Sequence, residues 1–313
     1  QEIFDGLFKT TKAFHSVNNP LLMGWVVADD RSAQGLFGSA TDGDMDIAYG
    51  LILAHLQWGS NGVVDYLNQA RQWIGALEQS NITHSMRLNL GDWQQKSANT
   101  TRTSDWMLAH MRLFYAVSGN EIWQKLIANT YLLIEALQNN NAPSTGLLPD
   151  FVVGHSARPA PASFIEGAND GRYYYNACRV PFRLIHDVMH GYNTQSKNAL
   201  MKMVHWMVVQ TKGDPCAIKA GYKLNGKALS KSNYFDAVFA SPMVTASAAD
   251  SSYQNFLDAG WPVMTRSRSN YFADTINLMC MLLVSGNWWA PEDYFKISDD
   301  SLSSIANEPD SGF

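Results

Sequence analysis

Apolar residues recur at three- and four-residue spacing through most of this chain, and short polar or Gly-containing breaks separate the runs. Ile47, Leu51, Ala54 and Trp58 mark one helical face, and Val63, Leu67, Ala70, Ile74 and Leu77 mark the next. Read this way, the spacing predicts about ten helices, over 1–15, 44–57, 63–77, 106–117, 123–137, 172–190, 195–211, 235–248, 252–266 and 270–284. No series of alternating residues predicts a sheet, so the expected class is all-α, built from helix hairpins with short connections. The longest break, from about 139 to 171, is rich in Pro and Gly, and a loop of that length in a compact domain points to function. No linker divides the chain before about residue 291, which predicts one domain over 1–291 and a polar, flexible tail over 292–313.

Composition narrows the class. The 313 residues are 46% hydrophobic and 16% charged, as in a compact globule. A net charge of −5 argues against nucleic acid as partner. No apolar run approaches the roughly 18 residues of a membrane span. Three cysteines, Cys178, Cys216 and Cys280, are too few for a disulfide framework, and Cys178 and Cys280 fall in helical patterns as buried thiols do. Asn81-Ile82-Thr83 and Asn99-Thr100-Thr101 have the form of glycosylation sequons. Ten Trp residues suit either a large helical core or stacking surfaces for sugar rings. His186 and His190 have the spacing of a zinc-binding helix, but no third ligand follows and a metal site is not expected.

The richest stretch for chemistry is Ala40-Thr41-Asp42-Gly43-Asp44. Thr41 and Asp44 form a capping-box pattern, and Asp46 suits a first-turn charge against the helix dipole. Asp42 is left without a structural job, which makes it a candidate functional acid.

Ala-Thr-Asp-Gly-Asp-x-x-Ile-Ala followed by Trp58-Gly59-Ser60 resembles the signature of glycoside hydrolase family 8, with Gly50 where the pattern carries Ser or Ala. Phe4-Asp5-Gly6-Leu7, Leu22-Met23-Gly24-Trp25, Ser104-Asp105-Trp106, Gly146-Leu147-Leu148-Pro149-Asp150, Tyr175-Asn176-Ala177-Cys178-Arg179 and Gly286-Asn287-Trp288 follow in the family's order. The resemblance implies an (α/α)6 barrel and inverting endo-hydrolysis of a β-1,4-linked polysaccharide, β-glucan or chitosan, by a secreted or periplasmic monomer. It implies no cofactor or metal, because two carboxyl groups carry the protons.

The same resemblance distributes the roles. Its general acid is a Glu in a Ser-Glu-Gly motif ahead of Phe-Asp-Gly-Leu. This chain has no Ser-Glu-Gly, so the expectation is a chain truncated at its N-terminus, with two helices and the acid upstream of Gln1. A non-catalytic glycan-binding protein is the rival reading. One branch of the family uses an Asp base where this chain has Asn176; a second carries Asn there and takes a Glu from the preceding loop. Glu166 is therefore the expected base and Asp170 its understudy. Asp42 is expected at the subsite of bond breaking, with Arg179 orienting a carboxylate. Trp25, Trp106, Tyr173, Tyr175, Asn176 and Asp170 are the expected substrate-binding residues.

Overall fold

The structure is a computed structural model that describes residues 1–191, 193–289 and 291, and the tail expected over 292–313 lies outside them. Among the described residues there are ten α-helices: α1 (Glu2–Ala13), α2 (Thr41–Trp58), α3 (Tyr66–Ser80), α4 (Leu108–Ser118), α5 (Ile122–Asn140), α6 (Val180–Gly191), α7 (Thr194–Thr211), α8 (Ala237–Ala246), α9 (Gln254–Arg266) and α10 (Tyr271–Val284). Three short strands also occur, β1 (Thr100–Arg102), β2 (Phe151–Val153) and β3 (Arg158–Pro159), where none was expected. No helix among the described residues is long and apolar enough to cross a membrane.

The chain divides into two compact units. The first holds Gln1–Thr101 and His110–Asn129. In it α2 packs on α3, and α1 is pinned through aromatic edges: Phe4 lies 5.6 Å from Trp58 and 5.8 Å from Tyr66, and Phe8 lies 6.1 Å from Trp73. Phe8 is buried, whereas Ile3 and Leu7 of the same helix are exposed. Asp92 organises the loop between α1 and α2, accepting from the Ser16 hydroxyl and from the amides of Asn19 and Ser39. Gly91 beside it cannot carry a side chain, because a Cβ there would collide with the Ser39 carbonyl oxygen. Asn81 of the first sequon is fully buried and gives its side-chain amide to Thr41 Oγ1 at 2.7 Å, so that sequon is a core element.

The second unit holds Arg102–Ala109 and Thr130–Ala290. Its centre is α8, all ten residues of which are buried, and α6, α9 and α10 pack around it. Gly260 of α9 meets Val244 of α8 at a distance that excludes a Cβ. The Pro- and Gly-rich break contains the β2–β3 hairpin, with Val152 opposite Pro159 and Val153 opposite Arg158. The helix expected over 172–190 starts only at Val180. Tyr173 instead pairs its backbone with Tyr222 in both directions at 3.0 Å, a 3-10 turn spans Ala177–Arg179, and Pro181 sits in the first turn of α6, where its missing N–H costs nothing. Cys178 and Cys280 are buried thiols as expected, and Cys216 is exposed. His186 and His190 meet edge to face at 4.8 Å, with His186 also against Trp288 at 5.2 Å, a packing arrangement. Burial holds His190 down at about 4.

Candidate active site

In the first unit, the start of α2 is fixed by tertiary partners rather than by a capping box. The N-cap is Ala40, and no side chain caps the helix. Thr41 Oγ1 donates to the Asn89 carbonyl at 2.6 Å. Asp44 turns into the core, where its Oδ1 accepts from the Met23 amide and from Trp73 Nε1, both at 2.9 Å. Burial pushes the Asp44 carboxyl up to about 7 against those two hydrogen bonds. Asp46 meets His110 Nε2 at 2.9 Å, and the His110 ring stacks on Tyr49 at 4.2 Å; it does not serve the helix dipole alone. Asp42 is half-buried in the first turn, and its Oδ1 accepts from the neighbouring Gly43 amide at 3.1 Å. Trp25 is 64% exposed, with its indole against the edge of Phe37 at 5.5 Å. Such an indole face can stack on a sugar ring.

In the second unit, three of the expected residues meet, Glu166, Asn176 and Arg179. Glu166 is exposed on its loop, and its Oε2 accepts from Asn176 Nδ2 at 2.8 Å. Asn176 Oδ1 accepts from Arg179 Nη2 at 3.0 Å, and the same guanidinium nitrogen reaches Ser104 Oγ at 2.8 Å. A guanidinium has only donors, so it settles which end of the Asn176 amide faces it. The NH2 end is thereby turned toward Glu166. Arg179 also lies over the Phe272 ring at 6.0 Å. Tyr175 stands at the same turn and hydrogen-bonds Asp236 and the exposed Tyr234 hydroxyl, both at 2.9 Å. Burial, with these two hydrogen bonds, raises its phenol well above the ordinary range.

Three expected site residues have other jobs. Asp170 is buried and spends both oxygens on backbone amides, those of Ile165 at 2.7 Å, Glu166 at 3.1 Å and Gly167 at 2.9 Å. It shapes the loop that presents Glu166 and is not placed to touch a sugar. Trp106 is 2% exposed and Tyr173 is fully buried, so both are core rings; Tyr173 packs on Phe239 at 5.9 Å. Asp150, the last residue of the Gly146–Asp150 motif, holds the turn beneath Asn176. Its Oδ1 accepts from the amides of Tyr174, Asn176 and Ala177 at 3.0, 3.2 and 2.7 Å. Burial lifts its carboxyl to about 7, and the charge of Glu166 adds to the rise. The signal for it was the position of an acid at the end of an otherwise apolar Gly-Leu-Leu-Pro run.

An exposed carboxylate held on one oxygen by an amide suits a base that takes a proton from water. The sequence profile of glycosyl hydrolases family 8 matches residues 1–286. The chain belongs to this family. An endoglucanase of Bacillus sp. (strain KSM-330) is 47% identical over 294 residues, covering 93% of this chain and 63% of that protein. This chain thus spans less than two thirds of that relative's length. A beta-glucanase of Niallia circulans is 42% identical over 298 residues, covering 92% of this chain and 72% of the relative. Among solved structures, the apo beta-1,3-1,4-glucanase from Paenibacillus sp. X4 superposes with a TM-score of 0.88 at 41% identity, over 92% of this chain and 77% of that one. A cold-adapted family 8 xylanase, at 19% identity and a TM-score of 0.73 over 92% of this chain and 76% of its own, shares the fold. The fold class is the all-α (α/α)6 barrel of family 8.

Proposed function

We propose that this protein is an endo-acting hydrolase of β-1,4 bonds in a β-glucan, working with inversion and using Glu166 as its base. The observation that carries the reading is the 2.8 Å hydrogen bond from Asn176 to Glu166, with Arg179 behind it. Asn176 cannot accept a proton from water, and it presents its donor end to the one exposed carboxylate beside it. In this reading a water held by Glu166 attacks the anomeric carbon on the face opposite the leaving oxygen. Glu166 takes the water proton, the glycosidic C–O bond breaks, and a second, protonated carboxyl gives the leaving oxygen its proton. In inverting enzymes the two carboxyls stand about 6.5–9.5 Å apart. The family resemblance gives the acid to a Ser-Glu-Gly motif, which this chain does not contain. Asp42 would bind hydroxyls of the ring at the point of cleavage, where contacts strengthen in the transition state. Trp25 and Tyr175 would bind sugar rings further along.

The relatives named endoglucanase, beta-glucanase and beta-1,3-1,4-glucanase favour β-glucan over chitosan. A polymer cannot enter a cell, so the protein would work outside it, as a monomer with residues 1–291 in its catalytic domain. The experiment is proton NMR of mixed-linkage β-glucan during digestion by the full-length protein. New reducing ends should appear first as the α anomer. First appearance of the β anomer contradicts inversion, and glucan binding in affinity gels without any turnover makes the protein a glycan-binding one.

A further inference from the structure

We propose that Asp150 is a positioning residue of the hydrolytic site, fixing the turn that carries Asn176 and through it the place of the Glu166 carboxylate. The proposal rests on the reading of Glu166 as base. Residues 172–176 are not helical, so the amides of Tyr174, Asn176 and Ala177 need an acceptor outside their own segment. Asp150 Oδ1 supplies it to all three at 2.7–3.2 Å.

The backbone of Asp150 is committed to the same region. Its amide donates to the Arg172 carbonyl at 2.8 Å, and its carbonyl accepts from the Thr103 amide at 3.1 Å. Thr103 precedes Ser104, the hydroxyl that receives Arg179. One residue therefore sets both supports of Asn176: the backbone turn on which it stands, and the segment that steadies the guanidinium facing its Oδ1. Asp150 is buried and touches no open surface, so it acts through Asn176 and not on the substrate. Burial is the chief cause that raises its carboxyl, and the smaller rise from the charge of Glu166 agrees with the two acids sharing one neighbourhood.

The test separates positioning from folding. In the full-length protein, Asp150→Ala should lower kcat about 100-fold, the scale on which a 1 Å misplacement acts, while KM stays within about 3-fold. Asp150→Asn keeps an acceptor oxygen for the three amides and should stay within about 5-fold of the parent kcat. Azide attacks the anomeric carbon without needing a base, so it can stand in for activated water in Glu166→Ala. If Asp150 works through Glu166, the azide-supported rate of Glu166→Ala is unchanged when Asp150→Ala is added. A further loss of similar size in that double variant overturns the proposal, as does an Asp150→Ala enzyme with parental kcat. Should Asp150→Ala not accumulate folded, Asp150→Glu displaces the acceptor by one methylene and carries the same expectations. Glu166→Ala that hydrolyses glucan at the parental rate without azide sinks the base reading itself, an outcome distinct from either result at Asp150.

Discussion

Replacing Asp44 by Asn should flatten the pH dependence of this protein's stability. The carboxyl is 1% exposed, and its Oδ1 takes two hydrogen bonds while Oδ2 has no hydrogen-bond partner. Its value rises from 3.8 to about 7, with burial as the chief cause. The sign follows from proton counting. Below about pH 4 folded and unfolded chains both hold the proton; between about 4 and 7 the unfolded chain loses it while the folded chain keeps it. Rising pH therefore favours the unfolded chain across that window, and the effect levels off above about 7. About three pH units at 1.36 kcal/mol each amount to about 4 kcal/mol, as an order of magnitude. Asn cannot ionise, and its Oδ1 can keep both donors, Met23 and Trp73. Its NH2 would stand where Oδ2 is, at a fixed cost of about 1–3 kcal/mol. The assay is urea unfolding of parent and variant at pH 4, 5.5, 7 and 8. The stability of Asp44→Asn relative to the parent should rise by about 4 kcal/mol between pH 4 and 7 and then stay level. A difference that is constant with pH would refute the reasoning, whatever its absolute size.

Three further substitutions separate the site from the core. Trp25→Ala removes an exposed ring and should leave unfolding within about 0.5 kcal/mol of the parent while raising KM for glucan about 10-fold; Trp106→Ala should cost about 3–5 kcal/mol of stability because its ring is core, and equilibrium unfolding with steady-state kinetics distinguishes the pair. Asn176→Asp would set a second carboxylate beside Glu166 Oε2, so the two would share a proton, and the acid limb of kcat/KM should move up by about 1 pH unit or more; a pH–rate profile that stays in place would contradict their contact.

The helices were legible because burial of a helical face leaves a 3.6-residue pattern, and all ten expected helices occur. Their ends were less legible where a distant group competes. Residues 172–179 carry apolar and aromatic residues at helical spacing, but Asp150, more than twenty residues upstream, takes their amides and holds them in a turn. Thr41 and Asp44 have the spacing of a local cap, and each instead bonds a residue from another segment. At the site, Glu166 and Asn176 were singled out only through the family resemblance, one branch of which has an acid where this chain has Asn176; the structure adds that the two side chains touch. Asp170 lies four positions from Glu166 with the same chemistry, and only the direction of the backbone amides shows that its oxygens are already used. Trp25 and Trp106 are alike in sequence, and exposure alone separates a ring that can stack from a ring in the core.

Glu166 is the group proposed to activate water. The direct test is Glu166→Ala in the full-length protein, assayed on mixed-linkage β-glucan with and without azide. A base worth about 10²–10⁴ in rate predicts a loss of that size, with azide restoring turnover and giving the α-glycosyl azide. Parental hydrolysis without azide, or a lost rate that azide leaves unchanged, would contradict it.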